Sequence, residues 1–375
     1  MPDEPRTIRD ILPSVGALLG VDGAQDRLGL ASRVGDVRRV AVILVDGMGY
    51  HLLPVLAPHA PLLASVLDDG TGALSELTCT FPSTTPTSLV SFATGAAAGE
   101  HGILGFTLNV PGTDRVLTHI VWRDDPPPAA WQPVPTWFER ITQAGARSTV
   151  VLPAFFAGSG LTEAAYRGAA FSGVGRHADY AERLLAELRA EAGLVYGYTS
   201  ALDTAAHVHG IASAEWAQAA AGVDALLARL VEGLPPDAAL LVTADHGGLD
   251  VPADARVDIG VDGDLARGVR VVAGEPRVRY LHTDSGALPD VLATWRELLG
   301  DRALVLERDE AIAAGWFGPV PPGHRARIGD VVVICTGELA VLATGHEPPE
   351  TAKLVGFHGA ATPAETAIPL ISFRR

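Results

Sequence analysis

The chain has 375 residues, 48% of them hydrophobic and 19% charged, with a formal net charge of −16. That length buries a substantial core and that charged fraction is ordinary for a globular protein, so disordered and collagen-like classes are excluded. With an acidic surplus and Lys353 as the sole lysine, there is no cationic footprint for a nucleic acid polymer and no other lysine for Schiff-base chemistry.

In chain order, the N-terminal stretch MPDEPRTIRDILPSVGALLG is acidic and broken by proline, which fits neither a secretory signal nor a transit peptide. No run approaches the roughly 18 apolar residues of a spanning helix. Cys79 and Cys335 lie far apart without Cys-x-x-Cys spacing and are expected as buried thiols. The expectation is a cytoplasmic protein with no membrane partner; its oligomeric state is not legible.

Apolar runs at 39–45, 73–79, 148–152, 194–199 and 238–243 predict strands, the first (RVAVILV) apolar on both faces like a central buried strand. Between them, Leu and Ala recur at helical spacing over 179–192 and 213–232, with Gly193 and Gly233 as helix stops. This alternation predicts an α/β fold, a mostly parallel sheet covered by helices on both faces. From about residue 250 the texture changes. Short β-like pieces at 269–273 and 277–283, a helix at 288–299, a Pro/Gly loop at 316–323 and β pieces at 330–335 and 340–343 follow. The expected organisation is a metal-binding catalytic α/β domain over 1–250 and 346–375, with a smaller inserted α+β cap over 251–345. A second irregular excursion, 101–135, carries Trp122, Trp131 and the run Pro126-Pro127-Pro128.

Open α/β sheets place their sites at the carboxyl ends of strands. Asp46 closes the first run, and Asp203 and His207 follow the 194–199 run at an i, i+4 spacing that puts both on one helix face. Asp245 and His246 follow the 238–243 run, and His358 lies in the late Gly-Phe-His-Gly. Aspartates and histidines together make an O/N ligand set suited to zinc, manganese or iron. Each group also has an ordinary alternative: a turn at Asp46-Gly47, a surface or capping pair at Asp203 and His207, a loop histidine at His358. Recurrence at successive strand ends, which a parallel sheet brings to one edge, favours the ligand set. In FPSTTPTSLVSFATG, Pro86 marks a helix N-terminus. There Thr84 or Thr85 either caps the helix or offers a nucleophilic hydroxyl whose charge the dipole and free amides stabilise.

Taken in order, Asp46, FPSTTPTSLVSFATG with GEHGILG, Asp203-x-x-x-His207, Asp245-His246-Gly247 and His358-Gly359 resemble the alkaline phosphatase superfamily. Within it the likeness is to the type I phosphodiesterase/nucleotide pyrophosphatase group, over about 40–359. The resemblance implies a phosphoester hydrolase with two divalent metal ions, zinc (Zn2+) first and Mn2+ as the alternative. It implies Asp203, His207 and His358 on one metal and Asp46, Asp245 and His246 on the other, joined by the oxygen of a threonine that is phosphorylated in turnover. Ungapped matching to the family's Phe-Pro-Thr-x-Thr-Phe-Pro-Asn run places that threonine at Thr85, ahead of Thr84 and Thr80. The chain departs from the pattern at Pro86-Thr87-Ser88, which leaves a third contact to a phosphoryl oxygen unassigned. The sulfatase branch does not fit, because residues 79–83 lack its Cys/Ser-x-Pro-x-Arg spacing and arginine; the phosphoglycerate mutase branch has a serine nucleophile and a large insertion not visible here. The implied partner is a small phosphoester, a diester or pyrophosphate first, with a monoester or phosphonate as second reading and a metal-stabilised scaffold as the non-enzyme alternative. His101, Trp122, Arg123, Arg279, His282 and His324 are candidate pocket residues, each as readable as structural.

Overall fold

The computed structural model describes residues 5–68, 70–176 and 179–374. Six strands of a central sheet come first: β1 (Arg39–Val45), β2 (Ala73–Thr78), β3 (Arg147–Pro153), β4 (Ala170–Val174), β5 (Gly193–Thr199) and β6 (Ala238–Thr243). A second sheet follows, formed by β7 (Val269–Glu275), β8 (Val278–Thr283), β9 (Ala303–Glu307) and β10 (Val331–Cys335), before β11 (Ala367–Arg374) returns to the first. The central order is β2-β11-β6-β1-β5-β3-β4. β11 runs antiparallel to both its neighbours, and the other pairings are parallel.

The parallel centre follows from the composition of its strands. β5 and β6 are buried at every position and β1 at all but Arg39, so each needs a layer on both faces. Helices α1 (Thr85–Thr94), α2 (Tyr180–Ala190), α3 (Ala201–His209) and α4 (Ala214–Gly233) belong to this part of the chain, and α5 (Leu288–Leu299) to the second sheet. Val45 stands opposite Thr199 and Leu44 opposite Thr243, so β1, β5 and β6 release the chain at nearly one level.

Two glycines behave differently from expectation. Gly193 opens β5 at φ 140°, because a Cβ there would sit 2.0 Å from the Arg147 carbonyl oxygen on the neighbouring strand. Gly233 is the last residue of α4 rather than a stop beyond it. The 316–323 loop ends in a helical turn, Pro322–Arg325, with proline in the first turn.

The second sheet, ordered β7-β8-β10-β9, is antiparallel throughout and works as a two-faced layer. Alternate residues Leu281, Val331 and Val333 pack with Trp295 of α5, while Val278, Tyr280, Val332 and Ile334 join the core of the central sheet. The region therefore shares a core with the rest of the molecule. The 101–135 excursion folds as a small hairpin, Thr107–Asn109 with Val116–Thr118, against this layer; the Tyr280 hydroxyl donates to the Leu104 carbonyl at 2.7 Å. Cys79 and Cys335 are buried free thiols. Among the described residues no helix is long and apolar enough to cross a membrane.

His101 lies fully buried beside α1. Its Nδ1 accepts from the Ile103 amide at 3.1 Å and its Nε2 meets Ser91 Oγ at 2.8 Å, a pattern that requires a neutral ring. Burial, reinforced by nearby His324 and Arg327, lowers its pKa to about 3. Between that value and the unfolded pKa near 6.5 the unfolded chain binds the proton and the fold does not, so stability falls as pH falls. His101→Gln is expected to flatten the stability profile across pH 4–6.5 by up to ~1.4 kcal/mol per pH unit, read from urea unfolding. Parallel profiles would contradict the assignment.

Candidate metal centre

Three parallel strands deliver the site. Asp46 follows β1 and Asp245 and His246 follow β6, while Asp203 and His207 sit on α3 just after β5. The turn at Gly47 is what lets α3 approach: φ is 72°, and a Cβ there would stand 2.9 Å from that of Asp203. The i, i+4 pair shares one face as expected, with His207 Nε2 3.2 Å from Asp203 Oδ2. His358 arrives from the loop after Gly356–Phe357, a short strand paired with Leu249–Asp250. Its Nε2 lies 3.2 Å from His207 Nε2 and 3.8 Å from Asp203 Oδ1.

The other half centres on His246, whose Nε2 is 3.3 Å from Asp46 Oδ1, 3.6 Å from Asp245 Oδ2 and 3.2 Å from Thr85 Oγ1. The rings of His246 and His358 stack at 3.6 Å, so the halves adjoin. Donor atoms of Asp203, His207 and His358 lie within 4.8 Å of one another, and so do those of Asp46, Asp203 and His246. Asp203 thus stands in both groups. Asp245 sits at the margin of the second, its Oδ1 accepting from the Gly47 amide at 3.2 Å.

Three features make this donor set fit metal ions. Each histidine gives Nδ1–H to a backbone carbonyl, His207 to Gly356 at 2.8 Å, His246 to Gly247 at 2.8 Å and His358 to Ser83 at 2.9 Å. That leaves all three Nε2 atoms turned inward, where they could accept a metal ion. Asp46 Oδ1 and Asp245 Oδ2 are buried without a hydrogen-bond partner. Finally, the buried charge of Asp46 and Asp245 exceeds what their neighbours offset. Burial, then the neighbouring Asp245 and Asp203, push the Asp46 carboxyl well above its usual range despite the hydrogen bond from the Tyr198 hydroxyl. Burial also raises Asp245. Burial pulls His207 down, but Asp203 beside it prevails and raises it to about 9. A buried acidic cluster of this kind is relieved by a divalent cation.

The threonines separate cleanly. Thr85 is the first residue of α1 and reaches His246. Thr84 occupies the cap position with extended backbone but forms no side-chain cap, and its hydroxyl is buried and unpaired. Thr80 instead meets Ser88 Oγ at 3.2 Å. The candidate pocket residues lie in other networks: Arg279 binds Glu347, His324 donates to the Gly99 carbonyl and the Trp122 indole to that of Pro126. His101 is held by Ser91, His282 is buried and Arg123 is exposed. Tyr198, which holds Asp46, was not legible in the sequence, since a tyrosine in a buried strand carries no mark of its partner.

No curated protein matches the sequence significantly. Among solved structures, an inactive form of murine ectonucleotide pyrophosphatase/phosphodiesterase 5 in complex with AMP is 16% identical, with 89% of this chain and 87% of that one covered and a TM-score of 0.72. The human counterpart is 15% identical, with coverage of 90% and 88% and a TM-score of 0.69. Phosphonoacetate hydrolase from Sinorhizobium meliloti in complex with phosphonoacetate is 22% identical, covering 90% of each chain at a TM-score of 0.66. At these identities the likeness establishes the fold. The sequence itself matches the description "Type I phosphodiesterase / nucleotide pyrophosphatase" over residues 40–361, a span that contains every candidate ligand and Thr85. The chain therefore belongs to the type I phosphodiesterase/nucleotide pyrophosphatase family, phosphoester hydrolases of the alkaline phosphatase superfamily.

Proposed function

We propose that this chain hydrolyses small phosphodiesters or pyrophosphates, with Thr85 as nucleophile and two divalent ions, zinc first, as cofactors. Asp203, His207 and His358 would hold one ion and Asp46, Asp245 and His246 the other, with Asp203 near enough to serve both. The observation that carries the reading is Thr85 Oγ1 at the N-terminus of α1, 3.2 Å from His246 Nε2, which is itself 3.3 Å from Asp46. Bound there, the ions supply Lewis acidity and positive charge for phosphoryl transfer.

The chain's own residues do the rest. Thr85, its hydroxyl proton passed to solvent, forms an Oγ–P bond as one ester oxygen leaves and takes up a proton; water then cleaves the phosphothreonine ester, restoring the hydroxyl and releasing the remaining half as a phosphate monoester. Charge on Oγ is favoured by the helix dipole and by the Thr85 and Thr87 amides, which at a helix start have no intrahelical partner. Three Nδ1–carbonyl bonds keep the imidazoles from turning.

Near Asp46 a cavity of about 480 Å³ is lined by Phe155, Phe156, Arg176, Tyr198 and Ser200 among others. Tyr198 joins cavity to site, since it lines the one and its hydroxyl binds Asp46 in the other. An apolar cavity of this size with one arginine suits the organic group of a phosphoester, and the family assignment puts a diester or pyrophosphate first.

Bis-p-nitrophenyl phosphate is expected to exceed p-nitrophenyl phosphate in kcat/KM by about tenfold or more. The reverse order would favour the monoesterase reading. Thr85→Ala should lower kcat by roughly 10³-fold or more and abolish the phosphothreonine trapped by acid quench, with zinc still bound. Wild-type turnover in that variant would remove Thr85 from the role.

Asp46→Asn gives a test by sign. The raised Asp46 pKa means that the metal-free fold holds a proton more firmly than the unfolded chain, so its contribution to stability declines as pH rises through that pKa. At pH 8 the substitution should stabilise metal-free protein by on the order of 1–3 kcal/mol and destabilise zinc-loaded protein. A shift of the same sign in both states would contradict the ligand assignment.

A further inference from the structure

The tip of the β7–β8 hairpin, Glu275-Pro276-Arg277, belongs to the second sheet yet lies against the loops of the metal centre. Arg277 is fully buried and grips Glu365 with two parallel bonds, Nε to Oε1 at 3.0 Å and Nη2 to Oε2 at 2.8 Å. Glu365 in turn accepts from the Ala360 amide at 2.9 Å and the Thr362 hydroxyl at 2.6 Å, and its carbonyl accepts from the Gly247 amide at 2.8 Å. One hairpin tip thus fastens the loop that carries His358 and the residue that follows His246.

Glu275 stands on the other side of that tip, 5% exposed. Its Oε2 is 3.9 Å from His358 Nδ1, and a Cβ added at Gly359, where φ is 131°, would meet its carboxyl carbon at 2.8 Å. The Phe106 amide and the Thr84 hydroxyl face it, and Oε1 lacks a hydrogen-bond partner. Ser83 completes the arrangement: its carbonyl accepts from His358 Nδ1 at 2.9 Å, and its hydroxyl donates to the Ala360 carbonyl at 2.6 Å. The carboxylate therefore sits behind both the ligand His358 and the turn 83–84 that leads into Thr85. The Ser83 carbonyl holds the His358 Nδ1–H, so Glu275 acts on the ring from behind that bond, packed against Gly359 and facing the turn 83–84.

We propose that Glu275 is a positioning residue of the metal centre, its buried carboxyl group backing His358 and the turn that presents Thr85. The inference rests on the metal-centre reading given above. It adds that the second sheet supplies part of the support of the centre.

Glu275→Gln preserves size and replaces the carboxyl group by an amide. Measured by chelator competition, its zinc affinity is expected to fall about 10- to 100-fold, with kcat reduced by a similar factor and KM changed by less than about threefold. Glu275→Asp, which restores a carboxyl group, should recover part of both. Hydrogen exchange on unmutated protein gives an independent reading if the glutamine variant does not fold: zinc loading should slow exchange at 273–279 together with 357–360. Wild-type zinc affinity and kcat in Glu275→Gln, or protection at 357–360 without change at 273–279, would overturn the role of Glu275 alone. Wild-type protein that takes up no zinc would overturn the metal reading and this inference with it.

Discussion

Three aspartates brought together at one edge of a buried sheet are the constraint on which the structure turns. Asp46 and Asp203 offer oxygens within 4.8 Å of each other, with Asp245 alongside. At an effective dielectric near 20, two like charges at that separation repel by roughly 3–4 kcal/mol, before desolvation is counted. Helix and strand geometry create the convergence: aligned parallel strands end at one level, and Gly47 admits Asp203 into the gap. Burial and then this crowding drive the Asp46 carboxyl up, while His207 is raised against its own burial by the carboxylate it touches. A divalent cation removes the penalty and turns it into affinity, which is why the cluster reads as a ligand set rather than as strain.

The parts of the fold legible in the sequence are those fixed by local pattern. Unbroken apolar runs announce β1, β5 and β6, and the i, i+4 spacing announces that Asp203 and His207 share a face. What depends on distant neighbours was hidden. Gly193 looks like a helix stop but serves close passage beside Arg147, and nothing in its surroundings in sequence says so. The antiparallel direction of β11 is likewise set by partners about 130 residues away on β6 and almost 300 away on β2. In β10 both faces are apolar, so periodicity does not reveal that one face packs on α5 and the other on the central core.

The site follows the same division. All six candidate ligands and Thr85 stand in short local motifs at strand ends, and the fold brings them together. Their supports do not: Tyr198 behind Asp46, the carbonyls of Ser83, Gly247 and Gly356 behind the imidazoles, and Glu275 and Arg277 behind the His358 loop all act across long stretches of chain. Sharing of Asp203 between two donor groups is a property of distances, which spacing cannot express. The net charge of −16 also takes on a different meaning. Part of the acidic surplus is concentrated where cations would neutralise it, so a site for an anionic ester can exist on an acidic protein with a single, exposed lysine.

The account stands most directly on where metal sits. Crystals of zinc-loaded protein, with diffraction recorded on both sides of the zinc absorption edge, should show two anomalous peaks. One is expected among Asp203, His207 and His358, and the other among Asp46, Asp245 and His246 within reach of Thr85. Absence of peaks from this cluster, or zinc bound only elsewhere in the molecule, would contradict it.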